Sequence, residues 1–115
     1  MNKTLTIKDN RTFQRLYKRG RSAVTPFLVL YCRPNGRDHN RLGITVSTKL
    51  GGAVARNRAR RRLREVFRLA QPELRRGFDV VLVARSRAVD GPYDRLASAF
   101  RRACRETELM EKRTS

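Results

Sequence analysis

Residues 41–70 read RLGITVSTKLGGAVARNRARRRLREVFRLA, and the period of their hydrophobic residues changes partway along. From Arg41 to Ser47 the residues alternate, with Leu42, Ile44 and Val46 on one face and Gly43, Thr45 and Ser47 on the other, the pattern of a strand. After Gly51 and Gly52 the spacing becomes helical. Ala59, Leu63, Val66, Phe67 and Ala70 fall within an arc of about 100°, which predicts a helix running to Gln71, just before Pro72. Phe78 to Ala84 follows as FDVVLVA. Such an unbroken apolar run predicts a strand covered on both faces and parallel to a neighbour, so the helix before it reads as a crossover.

Working outward, Phe13, Leu16 and Tyr17 at helical spacing predict a first helix between Thr6 and Gly20, with Thr6 and Asp9 as a capping box. Phe27 to Tyr31 predicts a strand with Val29 and Tyr31 on one face and Leu28, Leu30 and Cys32 on the other. Pro34 to Asn40 reads as a loop, and Pro92 opens a last helix with Tyr93, Leu96, Ala97, Phe100, Ala103 and Cys104 inward. The predicted order is helix-strand-strand-helix-strand-helix. It implies a single α/β (α+β) domain over residues 1–115, a two-layer sandwich on a mixed sheet, with an ordered core from about 5 to 108.

Charge sets the partner class. The 115 residues carry 28 Lys and Arg against 10 Asp and Glu, a formal net charge of +18. Arg dominates the cations, and its planar fork grips phosphate bidentately and stacks on bases, so a polyanion and nucleic acid in particular is expected. No apolar run approaches the roughly 20 residues of a membrane span, and MNKTLTIKDN has no apolar signal core, which predicts a cytoplasmic protein without a membrane partner. Cys32 and Cys104 stand far apart with one His in the chain, so reduced, half-buried thiols are expected and neither a disulfide framework nor a metal site.

Seven Arg lie between positions 56 and 68, with Glu65 as the one acid among them. A solvated helix face ordinarily mixes signs at i,i+4, so this face calls for an external anion. Gly51 and Gly52 also leave the positive end of the helix open to a phosphate. Phe13 and Tyr17 on one helix, and Val29 and Tyr31 on one strand face, read either as core anchors or as two walls of a groove suited to single-stranded bases. Thr45 and Ser47 would be hydroxyl donors on its floor. No paired nucleophile and base is visible, and Asp79 and Asp90 beside Arg-rich segments read as salt-bridge partners.

The run Leu50-Gly51-x-Ala53-Val54-x-Arg56-Asn57-Arg58-x-Arg60-Arg61-x-Leu63-Arg64-Glu65 resembles the RNR signature of the bacterial ribonuclease P protein family. Ile7-Lys8, Phe13-Gln14, Tyr17-Lys18-x-Gly20, Gly43 to Ser47 and Phe78 to Val81 are similar to further family segments, in the same order. Two positions depart from the pattern. Thr48 precedes a lone Lys49 where the family commonly has adjacent cations, and Arg62 fills a position often uncharged.

The resemblance implies a ribosomal protein S5 domain 2-like sandwich whose strand-helix-strand crossover is left-handed, against the usual rule. It implies a protein subunit that binds the catalytic RNA subunit of ribonuclease P and helps it remove the 5′ leader of precursor tRNA. No protein partner is required, and Mg²⁺ is held mainly by the RNA. By the same resemblance, Lys49, Arg56, Asn57, Arg58, Arg60, Arg61, Arg64 and Arg68 bind the RNA subunit. Phe13, Tyr17, Val29, Tyr31, Thr45 and Ser47 line the leader cleft, and no residue is catalytic. A structural RNA-binding protein, a cationic membrane-surface module and a self-sufficient nuclease are the competing readings.

Overall fold

The computed structural model describes residues 5–111, and in it a mixed sheet carries helices on both faces. The elements are β1 (Leu5–Thr6), α1 (Asn10–Arg19), β2 (Arg21–Val24), β3 (Leu28–Pro34), β4 (Arg41–Thr45), α2 (Ala53–Ala70), β5 (Phe78–Ala84), α3 (Arg87–Asp90) and α4 (Tyr93–Glu106). The strand order is β1-β4-β5-β3-β2. β5 is central, parallel to β4 and antiparallel to β3, which accounts for its unbroken apolar run.

The second layer of the sandwich is α2 and α4. The stripe Ala59, Leu63, Val66, Phe67 and Ala70 of α2 and Leu96, Ala99, Phe100, Ala103 and Cys104 of α4 pack with Leu28, Leu30, Cys32, Leu42, Val80, Leu82 and Ala84 of the sheet. Phe67 and Phe100 meet edge to face at 6.3 Å between centroids, a favoured aromatic geometry. On the opposite face α1 covers Val81 with Leu16 and Ile7.

The hand of the β4-α2-β5 crossover follows from backbone directions. Ile7 N–H donates to Leu42 O at 2.9 Å, so Leu42, whose side chain joins the α2 core, points its carbonyl toward β1. Arg85 N–H donates to Phe27 O at 3.0 Å, so β5 residues facing away from α2 point theirs toward β3. For L-residues viewed from α2 with β4 and β5 running upward, β5 then lies to the left of β4. The crossover is left-handed.

Several local expectations are corrected. Thr6 belongs to β1, and Asp9 alone caps α1, its carboxylate accepting from Thr12 N–H at 3.1 Å and from the Thr12 hydroxyl at 2.8 Å. β1, β2 and the short α3 have no counterpart in the predicted order. The RSAV segment of β2 is short and exposed at three of four positions, as an edge strand is. Tyr93 is 39% exposed instead of core, because it sits in the first turn of α4 with Arg62 above its ring at 5.9 Å. Cys32 and Cys104 are free but fully buried, and burial pushes both thiols up, away from thiolate reactivity.

Asp79 is the buried carboxylate of the described residues. Arg41 grips it with Nε at 2.8 Å and Nη2 at 2.6 Å, and Asn35 Nδ2 donates at 3.0 Å. Burial pushes this carboxyl up, but the hydrogen bonds from Arg41 and Asn35 outweigh it and hold the group below its ordinary value. A carboxyl lowered on folding stabilises the native state above its unfolded value of about 3.9, and that contribution is lost as pH falls through the folded one. Asp79→Asn is expected to cost about 2 kcal/mol at neutral pH and to shrink the loss of stability below about pH 4, read by urea denaturation against pH. An acid limb identical to that of the parent protein would show that the ion pair contributes nothing.

Candidate nucleic-acid interface

Strand register arranges the α1 face of the sheet in three rows. The first is polar, Arg41-Asp79-Arg33, and closes under the start of α1. The second is Gly43-Val81-Tyr31 and the third Thr45-Val83-Val29-Val24.

α1 rests on the middle row. A Cβ built on Gly43 would lie 2.6 Å from Phe13 Cζ and 2.9 Å from Cε1, so the Phe13 ring occupies the space that any side chain at 43 would need. One turn on, the Tyr17 ring meets Tyr31 edge to face at 5.0 Å and lies 6.4 Å from Phe13. The Tyr17 hydroxyl is 3.4 Å from Thr45 Oγ1, at the long limit of a hydrogen bond. The three aromatics are half-buried and touch in sequence, so they form one continuous wall and not two walls facing across a gap.

The third row has no such cover. Thr45, Val83 and Val29 are half-buried and Val24 is 65% exposed. An apolar strip edged by the Tyr17 and Tyr31 rings is a surface on which unstacked bases can lie. Val83 and Val24 were missed as groove residues. FDVVLVA shows no alternation to assign Val83 a face, and Val24 belongs to the overlooked β2. Ser47 lies beyond the end of β4, where its hydroxyl accepts from Lys49 N–H at 3.1 Å and caps the turn Thr48–Leu50. It stands at the rim of the groove, not on its floor.

That turn leads into α2. Gly51 has φ +135°, and a Cβ there would meet Ala55 Cβ at 3.0 Å, so the glycine permits the sharp entry. Gly52 is the N-cap and gives no side-chain cap, leaving the first amides of α2 uncapped by side chains. Asn57, Arg58, Arg61, Arg64 and Arg68 are exposed on the outer side, while Arg56 and Arg60 are half-buried on one flank. Arg60 Nη1 donates to Asn57 Oδ1 at 3.3 Å, and Glu65 pairs with Arg68. Arg58, Arg61 and Arg64 have no acidic partner among the described residues. Arg62 is different in kind. It leaves the basic face, donating from Nη1 to Ala88 O at 3.1 Å and from Nη2 to Gly91 O, and straps α3 to α2.

Among the described residues no helix is long and apolar enough to cross a membrane, and no three His, Cys, Asp or Glu side chains gather as a metal site.

A ribonuclease P family model matches residues 1–108. The ribonuclease P protein component of Natranaerobius thermophilus is 38% identical over 112 residues, 97% of either chain. Among solved structures, the Staphylococcus aureus RNase P protein is similar at TM-score 0.82 and 34% identity, covering 95% of this chain and 100% of that one. A Staphylococcus aureus RNase P protein mutant with defective mRNA degradation activity gives TM-score 0.81 at 35% identity, covering 91% and 89%.

The packing of Phe13 on Gly43 is directly testable. Gly43→Ala is expected to push the ring off the sheet and cost about 1–3 kcal/mol, as overpacking does. Denaturation midpoints within error of the parent would mean that α1 is not seated on this residue.

Proposed function

Because this chain belongs to the ribonuclease P protein family, we propose that it is the protein subunit of a ribonucleoprotein endoribonuclease that removes the 5′ leader of precursor tRNA. The basic face of α2 lies against the catalytic RNA, and the groove beside Tyr17 and Tyr31 takes the single-stranded leader. The observation that carries this reading is the meeting of two unlike RNA-suited surfaces at one end of the sheet. Thr45 on the groove floor is separated from the start of α2 by seven residues of chain.

In this mechanism the protein binds and positions. Guanidinium groups of Arg58, Arg61 and Arg64 neutralise RNA phosphates, releasing counterions and easing the packing of RNA against RNA. The aromatic wall and valine strip hold leader bases by stacking and apolar contact, while Lys18, exposed on α1 next to Tyr17, flanks the backbone path. Mg²⁺, which supplies Lewis-acid and nucleophile-activating chemistry when bound, is held mainly by the RNA. Asp79, the buried carboxylate of the described residues, does not suit that role, since it is already committed to Arg41 and Asn35.

A nuclease acting without an RNA subunit is the second reading, raised by the mRNA degradation activity named for the Staphylococcus aureus mutant. Against it stands the structural use of the Asp9 carboxylate and Thr12 hydroxyl, which pair at 2.8 Å as the cap of α1. The experiment is cleavage of precursor tRNA and of a messenger RNA by protein alone, RNA alone and both together. Protein alone should leave both intact, and adding protein to the RNA should lower the Mg²⁺ required. Cleavage by purified protein alone would sink the subunit reading.

Three further outcomes test the surfaces. Replacing Arg58, Arg61 and Arg64 with Ala should weaken RNA-subunit binding and lower the slope of log K against log salt by about 0.7 to 0.9 for each phosphate no longer neutralised. Tyr31→Ala should cost about 1–3 kcal/mol in binding leader-bearing precursor and almost nothing for mature tRNA. Val24→Glu, at a position already open to solvent, should weaken the same substrate selectively while leaving the melting temperature unchanged. Equal losses on both substrates would return these residues to a purely structural role.

A further inference from the structure

A hollow of about 650 Å³ opens between α4 and the β2–β3 turn, on the helix side of the sheet and away from the leader groove. It is lined by Arg87, Arg95, Arg102 and Arg105, together with Phe27 and Ser98. Four arginines elsewhere are paired with acids, Arg21 on Glu108, Arg41 on Asp79, Arg68 on Glu65 and Arg101 on Glu73. The guanidiniums of the hollow have no carboxylate within ion-pair distance among the described residues. Asp94 and Glu106 share α4 with three of them but neither lines the hollow.

The wall is built before any ligand arrives. Thr25 Oγ1 donates to Leu28 O at 2.9 Å and accepts from the N–H groups of Phe27 and Leu28 at 3.1 and 3.0 Å, fixing the turn. Arg85 Nη1 donates to Thr25 O at 3.1 Å and fastens that turn to the end of β5. Phe27 packs against Gly91, where a Cβ would lie 2.7 Å from the ring, and Arg87 stacks 5.4 Å above the ring centroid. Arg95, Arg102 and Arg105 then span eleven helical residues, about 15 Å along α4. That ladder is too long for one phosphate and suits several in succession.

We propose that this hollow is a separate RNA-backbone site, in which Arg95, Arg102 and Arg105 bind successive phosphates and Arg87 on Phe27 closes one end. The inference rests on the RNA-partner reading above. It adds a binding surface on the helix layer, joined to the RNR helix through the strap from Arg62 to α3. Backbone phosphate is the ligand chemistry, and it has two sources, the RNA subunit and the precursor tRNA.

The test uses the full chain. Arg95, Arg102 and Arg105 are changed together to Ala, and binding is measured against salt for the RNA subunit alone and for precursor tRNA on the assembled enzyme. An equal loss of charge at Arg11, Arg37 and Arg76, which are exposed and do not line the hollow, serves as control. The hollow triple should lower the salt slope by about two for one of the two RNAs and weaken it by tenfold or more at fixed salt, while the control changes the slope by less than one. The RNA that responds identifies the source. Circular dichroism and thermal melting verify folding, and the single exposed change Arg102→Glu should weaken the same RNA if the triple folds poorly. A hollow triple, or an Arg102→Glu variant, no weaker than the control on either RNA overturns the site. If the α2 triple Arg58, Arg61 and Arg64 weakens binding in the same assay, that failure belongs to the hollow alone. If the α2 triple is also silent, the RNA-subunit reading fails with it.

Discussion

The Phe13 ring over the bare Cα of Gly43 sets the position of α1, and much of the sheet's outer face follows from that packing. With the ring seated on the middle row, the next turn of α1 brings Tyr17 against Tyr31 and toward Thr45. α1 has ten residues, about 15 Å, and its C-cap Gly20 turns the chain directly into β2. The helix therefore covers the polar and middle rows and stops, and the row of Thr45, Val83, Val29 and Val24 is left open. A larger residue at 43 would lift α1 and dissolve the boundary between covered core and open groove.

The arginines divide by what their donors touch. Arg41, Arg62 and Arg85 are structural: one neutralises a buried carboxylate, one straps α3 to α2, and one anchors the β2–β3 turn. Each spends its fork on a fixed carbonyl or carboxylate, so none is free for a ligand. Arg58, Arg61 and Arg64 lie close together on one helix with no ion-paired acid among the described residues. In a chain of net charge +18 such a face raises the energy of the isolated fold, and the buried core of α2 and α4 against the sheet must outweigh that repulsion.

How much was legible in the sequence depended on the strength of each local pattern. The switch from alternation to helical spacing at Gly51-Gly52 located β4 and α2, and all five residues of the predicted α2 stripe are buried. The two faces of β3 also divide as read, with Leu28, Leu30 and Cys32 inside. Edge strands were invisible because β1 pairs two residues and β2 shows one buried position in four, too few for a period. Arg62 resembled its neighbours because its partners are backbone carbonyls of a distant segment, which no composition reveals. The groove was half legible: its aromatics stood out by type, whereas Val83 required the register between β4 and β5.

That register also explains why the open row and the basic helix lie together. β4 and β5 are parallel, so the chain must return across the sheet between them, and α2 makes that return antiparallel to both. Its first turns consequently stand at the end of β4 where Thr45 and Val83 form the open row, and the arginines from Arg56 to Arg64 occupy those turns. α2 runs 18 residues, about 27 Å, so the same arginines moved to its C-terminal third would stand at the opposite end of the sheet. The hand of the crossover sets which side β5 takes, placing it between β4 and β3 so that the open row is continuous from Thr45 to Val24. Parallel pairing, an early cluster of Arg and a helix that stops short on the other face are together sufficient to bring a stacking surface and a phosphate-binding surface to one edge of a small domain.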